Sequence, residues 1–313
     1  MQTLLKRYVD YLSAERGFSP CTIRNYSQDL MGNKSEGKVL GFFQFLQVTN
    51  VKTLKDVTRF TMREYIGYLM EEGVSRRSIS RKVSSVRSLY RYLMREGYIE
   101  ENPVSLTTSP KLDKRLPNCL SEGEINRLLL APSADTSQGI RDLAILELIY
   151  ASGLRLSEVA SLDLSQVNLV TGQIKVLGKG SKERVVLIGE MAINALKKYL
   201  ECARPHLLST KTDIGALFIN RFGNRLSERS IQKMLGNMGQ KAGIDKHIYP
   251  HLLRHTFATH MLDGGADLRV VQELLGHSSL STTQIYTHVT QTQAKKVYLA
   301  AHPMARNENS NAK

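Results

Sequence analysis

The stretch Asn102 to Pro117, NPVSLTTSPKLDKRLP, sets Pro103, Pro110 and Pro117 in a segment with no apolar period. Proline fixes φ and lacks a backbone N–H, so neither a helix interior nor a central strand runs through such a stretch. Regular apolar patterns end before it and resume after it, which divides the chain in two. The reading gives a helical N-terminal domain at residues 1–107, a linker at 108–117, a second domain at 118–303 and a polar tail at 304–313.

The first domain is helical in pattern from Gln2 to Glu101, beginning with Leu4, Leu5, Tyr8, Val9 and Leu12 on one stripe. Ser19-Pro20 opens a second helix, and the glycine-bounded stretch Gly32 to Gly41 reads as an inserted, exposed loop. Ser75 to Arg95 is predicted to be a helix that buries Ile79, Val83, Val86, Tyr90 and Leu93. Off that side lie Arg76, Arg77, Arg81, Lys82, Arg87, Arg91 and Arg95, with no acidic residue between Glu72 and Glu96. Cations without i,i+4 partners repel one another unless an anion lies alongside. The helix is therefore either a phosphate-facing surface, with Arg76, Arg77, Arg81, Lys82, Arg87 and Arg91 as DNA contacts, or a plain solvated face.

Charge favours the first reading. The 313 residues carry 43 Lys and Arg against 29 Asp and Glu, a net +14, and both halves are basic. Such an excess suits a polyanion, nucleic acid before acidic membrane. With 42% apolar residues the chain buries a full core, which excludes disordered and collagenous classes. No apolar run reaches the roughly 18 to 20 residues that span a bilayer, and Met1 to Ser13 alternates charged with apolar residues, so a cytoplasmic protein is expected. Cys21, Cys119 and Cys202 are far apart without CxxC spacing, which argues against a disulfide framework or a zinc site.

The second domain is mostly helical with a small β element, so the chain as a whole is mainly α, of α+β type. Ser121 and Glu124 have capping-box spacing, and Gly139 to Ala151 is a strongly apolar helix. Gln173 to Val176 and Arg184 to Ile188 flank a Gly- and Lys-rich turn and read as a β-hairpin. Four segments hold candidate chemistry. SGLRLSEVASL sets Arg155 and Glu158 three apart on a helix beginning near Ser152 to Leu154; VLGKGSKERVV carries Lys179 at the hairpin tip. YPHLLRHTFATHML starts a helix at Pro250 with His251 and Arg254 one turn apart; LLGHSSLSTTQIYTHV sets His277 in a loop before a short helix carrying Tyr286. Each also has a plain reading: a helix ion pair, a solvated turn lysine, a chance HxxR, a core tyrosine.

Together they fit phosphoryl transfer. Forked guanidiniums match the oxygens over which charge spreads in the transition state, histidine exchanges protons near neutral pH, lysine protonates a departing alkoxide, and a phenol can attack phosphorus. The set needs no cofactor, and the sequence has no HExxH, Walker A or GxGxxG motif.

The four segments, in this order and with these separations, resemble the tyrosine recombinases, or phage-integrase family, and most closely their Xer branch. The resemblance extends from the basic helical domain to the terminal AAHPMA. It implies a site-specific recombinase in which Tyr286 is the nucleophile, Arg155 and Arg254 bind the scissile phosphate, Lys179 protonates the leaving oxygen, His251 takes the tyrosine proton, His277 hydrogen-bonds the phosphate, and Glu158 plays a supporting part. It further implies a first domain that binds the core of a DNA site, the two domains closing on the duplex as a clamp. Four protomers, of one or two kinds, would assemble on recombination sites of two half-sites each, exchange strands through a Holliday junction, and donate the helix near Thr292 to Ala301 to a neighbour. Expected roles are resolution of chromosome or plasmid dimers; mobile-element integration, relaxation in the manner of type IB topoisomerases and non-catalytic DNA binding are the alternatives. The Gly32 to Gly41 insertion and Met304, where Arg is frequent in the family, depart from its pattern.

Overall fold

The computed structural model describes residues 2–32, 39–105, 107, 119–177, 183–209, 212–276 and 291–305. The chain separates into two compact units, Met1–Arg115 and Leu116–Lys313, so the division falls inside the proline-bearing stretch. Among the described residues no helix is long and apolar enough to cross a membrane.

The first unit is a bundle of α1 (Gln2–Ala14), α2 (Pro20–Met31), α3 (Phe42–Val48), α4 (Arg59–Glu71) and α5 (Arg76–Arg95). Ser19 caps α2 ahead of Pro20, and Ser75 caps α5 by accepting the Ser78 N–H. The α5 stripe of Ile79, Val83, Val86, Tyr90 and Leu93 is buried against Tyr8, Leu12, Leu30, Phe42, Met62 and Tyr65. Arg81, Lys82 and Arg95 do have counterions, which corrects that part of the sequence reading. Arg81 and Lys82 both pair with Asp29 of α2, Lys82 at 3.4 Å, and Arg95 pairs with Glu15 at 2.5 Å. The acids come from other parts of the bundle, where a pattern read along one helix does not reach. Of the Gly32 to Gly41 stretch, residues 33–38 lie outside the described residues.

The second unit is built around α7 (Ser137–Ser152), which is buried on nearly every side from Arg141 to Ser152, as a central helix must be. Ahead of it, α6 (Glu122–Leu130) has the expected capping box: Ser121 Oγ accepts the Glu124 N–H and Glu124 accepts the Ser121 N–H. After α7 come α8 (Leu156–Ser161) and a three-stranded antiparallel sheet of β1 (Val167–Asn168), β2 (Gln173–Leu177) and β3 (Glu183–Leu187). The sheet is one short strand larger than the expected hairpin. Then follow α9 (Glu190–Lys198), a π-helical turn at Tyr199–Ala203, α10 (Arg204–Leu208), α11 (Glu228–Lys241), α12 (Pro250–Asp263), α13 (Leu268–Leu275) and α14 (Gln291–Ala301).

In the single chain α14 packs on its own domain. Tyr298 is buried and its hydroxyl accepts the Gly189 N–H at 3.0 Å. Gly264 meets the helix so closely that a Cβ there would lie 2.1 Å from the Ala301 carbonyl oxygen. Met304, placed in the polar tail by sequence, belongs instead to a 3₁₀ turn at Pro303–Ala305 and packs on the main core.

Candidate active site

Two helix C-termini and one helix N-terminus meet to form the site. Gly153 ends α7 at φ 58° and Gly276 ends α13 at φ 66°, both left-handed positions that glycine occupies without a Cβ penalty. The last carbonyls of each helix, at the negative end of its dipole, then turn toward cations. Arg254, one turn into α12 and buried, donates to the Gly153 carbonyl at 2.5 Å and the Leu275 carbonyl at 2.6 Å. Arg155 donates to the Gly276 carbonyl at 3.3 Å, so both guanidiniums converge at the end of α13.

Arg155 is the N-cap residue of α8 rather than a member of the helix: the chain must leave the left-handed Gly153 before α8 can begin. Glu158, at the third helical position, accepts the Arg155 backbone N–H at 2.8 Å and its Nη1–H at 2.9 Å. This carboxylate also receives a guanidinium that sequence reasoning missed. Arg184 on β3 places Nη1 2.8 Å from Glu158 Oε1 and Nη2 2.9 Å from Oε2, a bidentate fork. A signal for it existed: Arg184 pairs with buried Val176 and lies two residues from buried Val186, so a charged residue occupies the inward face of the hairpin.

Burial alone would raise the Glu158 carboxyl; hydrogen bonds from Arg184 and the Arg155 backbone outweigh it and hold the group below its ordinary value. Burial pushes the Arg254 guanidinium down to about 10, the positive charge of Arg155 adds to that effect and Glu158 opposes it. At neutral pH three arginines therefore face one carboxylate, and the surplus charge is what an anionic ligand would neutralise.

Of the six residues read as catalytic, the structure brings Arg155 and Arg254 together and sets His251, exposed, on the first turn of α12 beside Arg254. Lys179, His277 and Tyr286 lie outside the described residues. Among the described residues no group of three or more His, Cys, Asp and Glu is arranged to hold a metal.

A helical first domain, a mostly helical second domain and paired arginines on glycine-capped helix ends define an integrase-type enzyme. The phage integrase family model matches residues 118–293 and its N-terminal SAM-like domain matches residues 5–97, and the chain belongs to that family. Tyrosine recombinase XerD of Staphylococcus saprophyticus is 41% identical over 305 residues, 97% of this chain and 100% of the relative. XerD of Staphylococcus aureus is 42% identical over the same length and the same shares. Within the family the chain is a Xer-type tyrosine recombinase, a site-specific recombinase. Solved structures share the fold: XerH recombinase bound to its difH substrate in a pre-cleavage complex (22% identity, TM-score 0.64, 94% of each chain covered) and a lambda integrase dimer bound to a COC′ core site (17%, TM-score 0.64, 93% of this chain and 99% of that one).

Proposed function

We propose that this recombinase resolves dimers of circular chromosomes or plasmids in the cytoplasm, acting during chromosome partition and cell division as a tetramer, of one or two kinds of protomer, on DNA sites of two half-sites each. The observation that carries the chemistry is the convergence of Arg155, Glu158 and Arg254 where α7 and α13 end. Arg155 and Arg254 bind the non-bridging oxygens of the scissile phosphate, whose negative charge offsets the cost of holding Arg254 buried. The Tyr286 phenol attacks phosphorus, a tyrosyl O–P bond forms and the P–O5′ bond breaks. His251 takes the phenolic proton and Lys179 gives one to the departing 5′-oxygen; His277 hydrogen-bonds the phosphate.

The 3′-phosphotyrosyl ester keeps the bond energy, so the 5′-hydroxyl of a second strand reverses the step with no external energy source. Repetition on the other strand pair passes through a Holliday junction. Basic surfaces of both domains, among them Arg76, Arg77, Arg81, Lys82, Arg87 and Arg91, contact the duplex backbone. Full-length similarity to two XerD proteins supports the Xer-like role over integration or free relaxation. The test is a nicked suicide duplex carrying the binding site. Wild type is expected to accumulate a covalent protein–DNA complex and Tyr286→Phe none; a complex formed by Tyr286→Phe at the wild-type rate overturns the assignment.

A further inference from the structure

Arg184 is more enclosed than the arginine beside it: its side chain is 16% exposed and that of Arg155 34%. Its guanidinium lies against the C-cap of α13, where a Cβ on Gly276 would come within 2.9 Å of Nε and 3.1 Å of Cζ. Nε is buried with no hydrogen-bond partner among the described residues, and both Nη groups are taken by Glu158. Each Nη of Arg184 is thus committed through one contact to Glu158, and Nε is enclosed.

Glu158, in turn, is saturated. Oε1 accepts from Arg155 Nη1 and Arg184 Nη1, and Oε2 accepts from the Arg155 backbone and Arg184 Nη2. Those four donors fill the roughly four lone-pair sites of a carboxylate. Arg155 consequently holds Glu158 through one Nη only, although a guanidinium and a carboxylate side by side favour a two-point fork.

We propose that Arg184 is a positioning residue which, by occupying Glu158, keeps Arg155 available to the scissile phosphate. The inference rests on the reading of Arg155 as a phosphate ligand. Without Arg184, Glu158 has open lone pairs and an undivided charge beside Arg155. The Arg155 guanidinium closes onto it as a fork and turns away from the phosphate. Arg184 also ties β3, the strand that follows Lys179 in sequence, to the turn that carries Arg155.

The distinguishing test is suppression. Full-length protein is pre-bound to the suicide duplex and the single-turnover rate of covalent complex formation is measured. Arg184→Gln is expected to slow cleavage roughly 10- to 100-fold, the range for misplacing a reacting group by about an ångström, with DNA affinity little changed. Adding Glu158→Gln, whose amide oxygen still serves the α8 capping box, removes the competing charge and should recover about tenfold of the loss. A purely structural role for Arg184 predicts the reverse, a double variant slower than the single. If Arg184→Gln does not fold, as judged by circular dichroism, Arg184→Lys carries the same comparison with a one-point donor. Suppression supports the proposal; a double variant no faster than the single, or an Arg184→Gln protein at the wild-type rate, overturns it. Failure of the wild-type protein to form any covalent complex would overturn instead the functional reading beneath it.

Discussion

Gly153→Ala should damage both stability and catalysis, for separable reasons. Gly153 sits at φ 58°, and a left-handed backbone costs a non-glycine residue about 1–2 kcal/mol. The added methyl would also stand 2.6 Å from Phe257 Cδ1 and 2.8 Å from Leu275 Cδ2, inside contact distance on two sides of a packed interior. Overpacking of that kind costs about 1–3 kcal/mol, for a total of about 2–5 kcal/mol. Gly243 isolates the backbone contribution: it lies in the same domain at φ 62° with nothing within 4 Å of its built Cβ among the described residues. The two alanine variants should therefore differ by about 1–3 kcal/mol. At about 2–4 °C per kcal/mol for a domain of this size, that is a gap of about 2 to 12 °C in Tm. The sequence contains no Trp, so melting followed by helical circular dichroism is the suitable assay. Catalysis falls as well, because the Gly153 carbonyl holds Arg254 at 2.5 Å and a shift of that carbonyl moves a phosphate ligand. A loss of about 100-fold in single-turnover cleavage is expected from an ångström of displacement. If Gly153→Ala melts with Gly243→Ala and cleaves at the wild-type rate, the account of the left-handed cap as the support of Arg254 is refuted.

Two further outcomes follow from buried and basic groups. Burial pushes the Glu147 carboxyl up to about 7 from an ordinary 4.5. The folded protein thus holds this proton more tightly than the unfolded chain, and stability is greatest below about pH 4.5 for this group and is lost as pH rises through 7. Glu147→Gln should flatten that slope and raise the unfolding free energy from denaturant titration at pH 8 more than at pH 5, by on the order of 2–3 kcal/mol; equal shifts at the two pH values would sink the explanation. On α5, Arg77 and Arg91 are exposed. Replacing both with Gln should lower the slope of log affinity against log salt by about 2, one for each phosphate that is no longer neutralised, as measured by filter binding. An unchanged slope would remove these two residues from the DNA surface.

Much of the fold is legible in the sequence because its signals are local. The stripe from Ile79 to Leu93, the Ser121–Glu124 capping box, and the two short runs that form β2 and β3 each depend on neighbours within one or two turns of chain. What escapes depends on partners far away in sequence. Asp29 neutralises Arg81 and Lys82 across 52 and 53 positions, and Arg184 reaches Glu158 across 26, so neither pairing leaves a periodic trace. The sequence pattern starts α8 too early for a related reason. Helix propensity says nothing about a chain held left-handed at Gly153, and that conformation delays the helix until Leu156.

In sequence, SGLR and LLGH stand out for their arginine and histidine, with glycine as punctuation. In three dimensions the glycines are the device that brings the chemistry together. Each ends an apolar helix in a left-handed turn; the Gly153 and Leu275 carbonyls exposed there hold Arg254 from both sides, and the Gly276 carbonyl takes Arg155. Charged side chains on α12 and at the start of α8 are thereby fixed relative to one another by main-chain atoms of α7 and α13, and only one carboxylate, Glu158, is admitted to the cluster among the described residues. A second carboxylate would halve the surplus charge that three arginines and one carboxylate leave for phosphate. Backbone carbonyls orient guanidiniums without neutralising them, which is why the site can be ordered and still attract a polyanion.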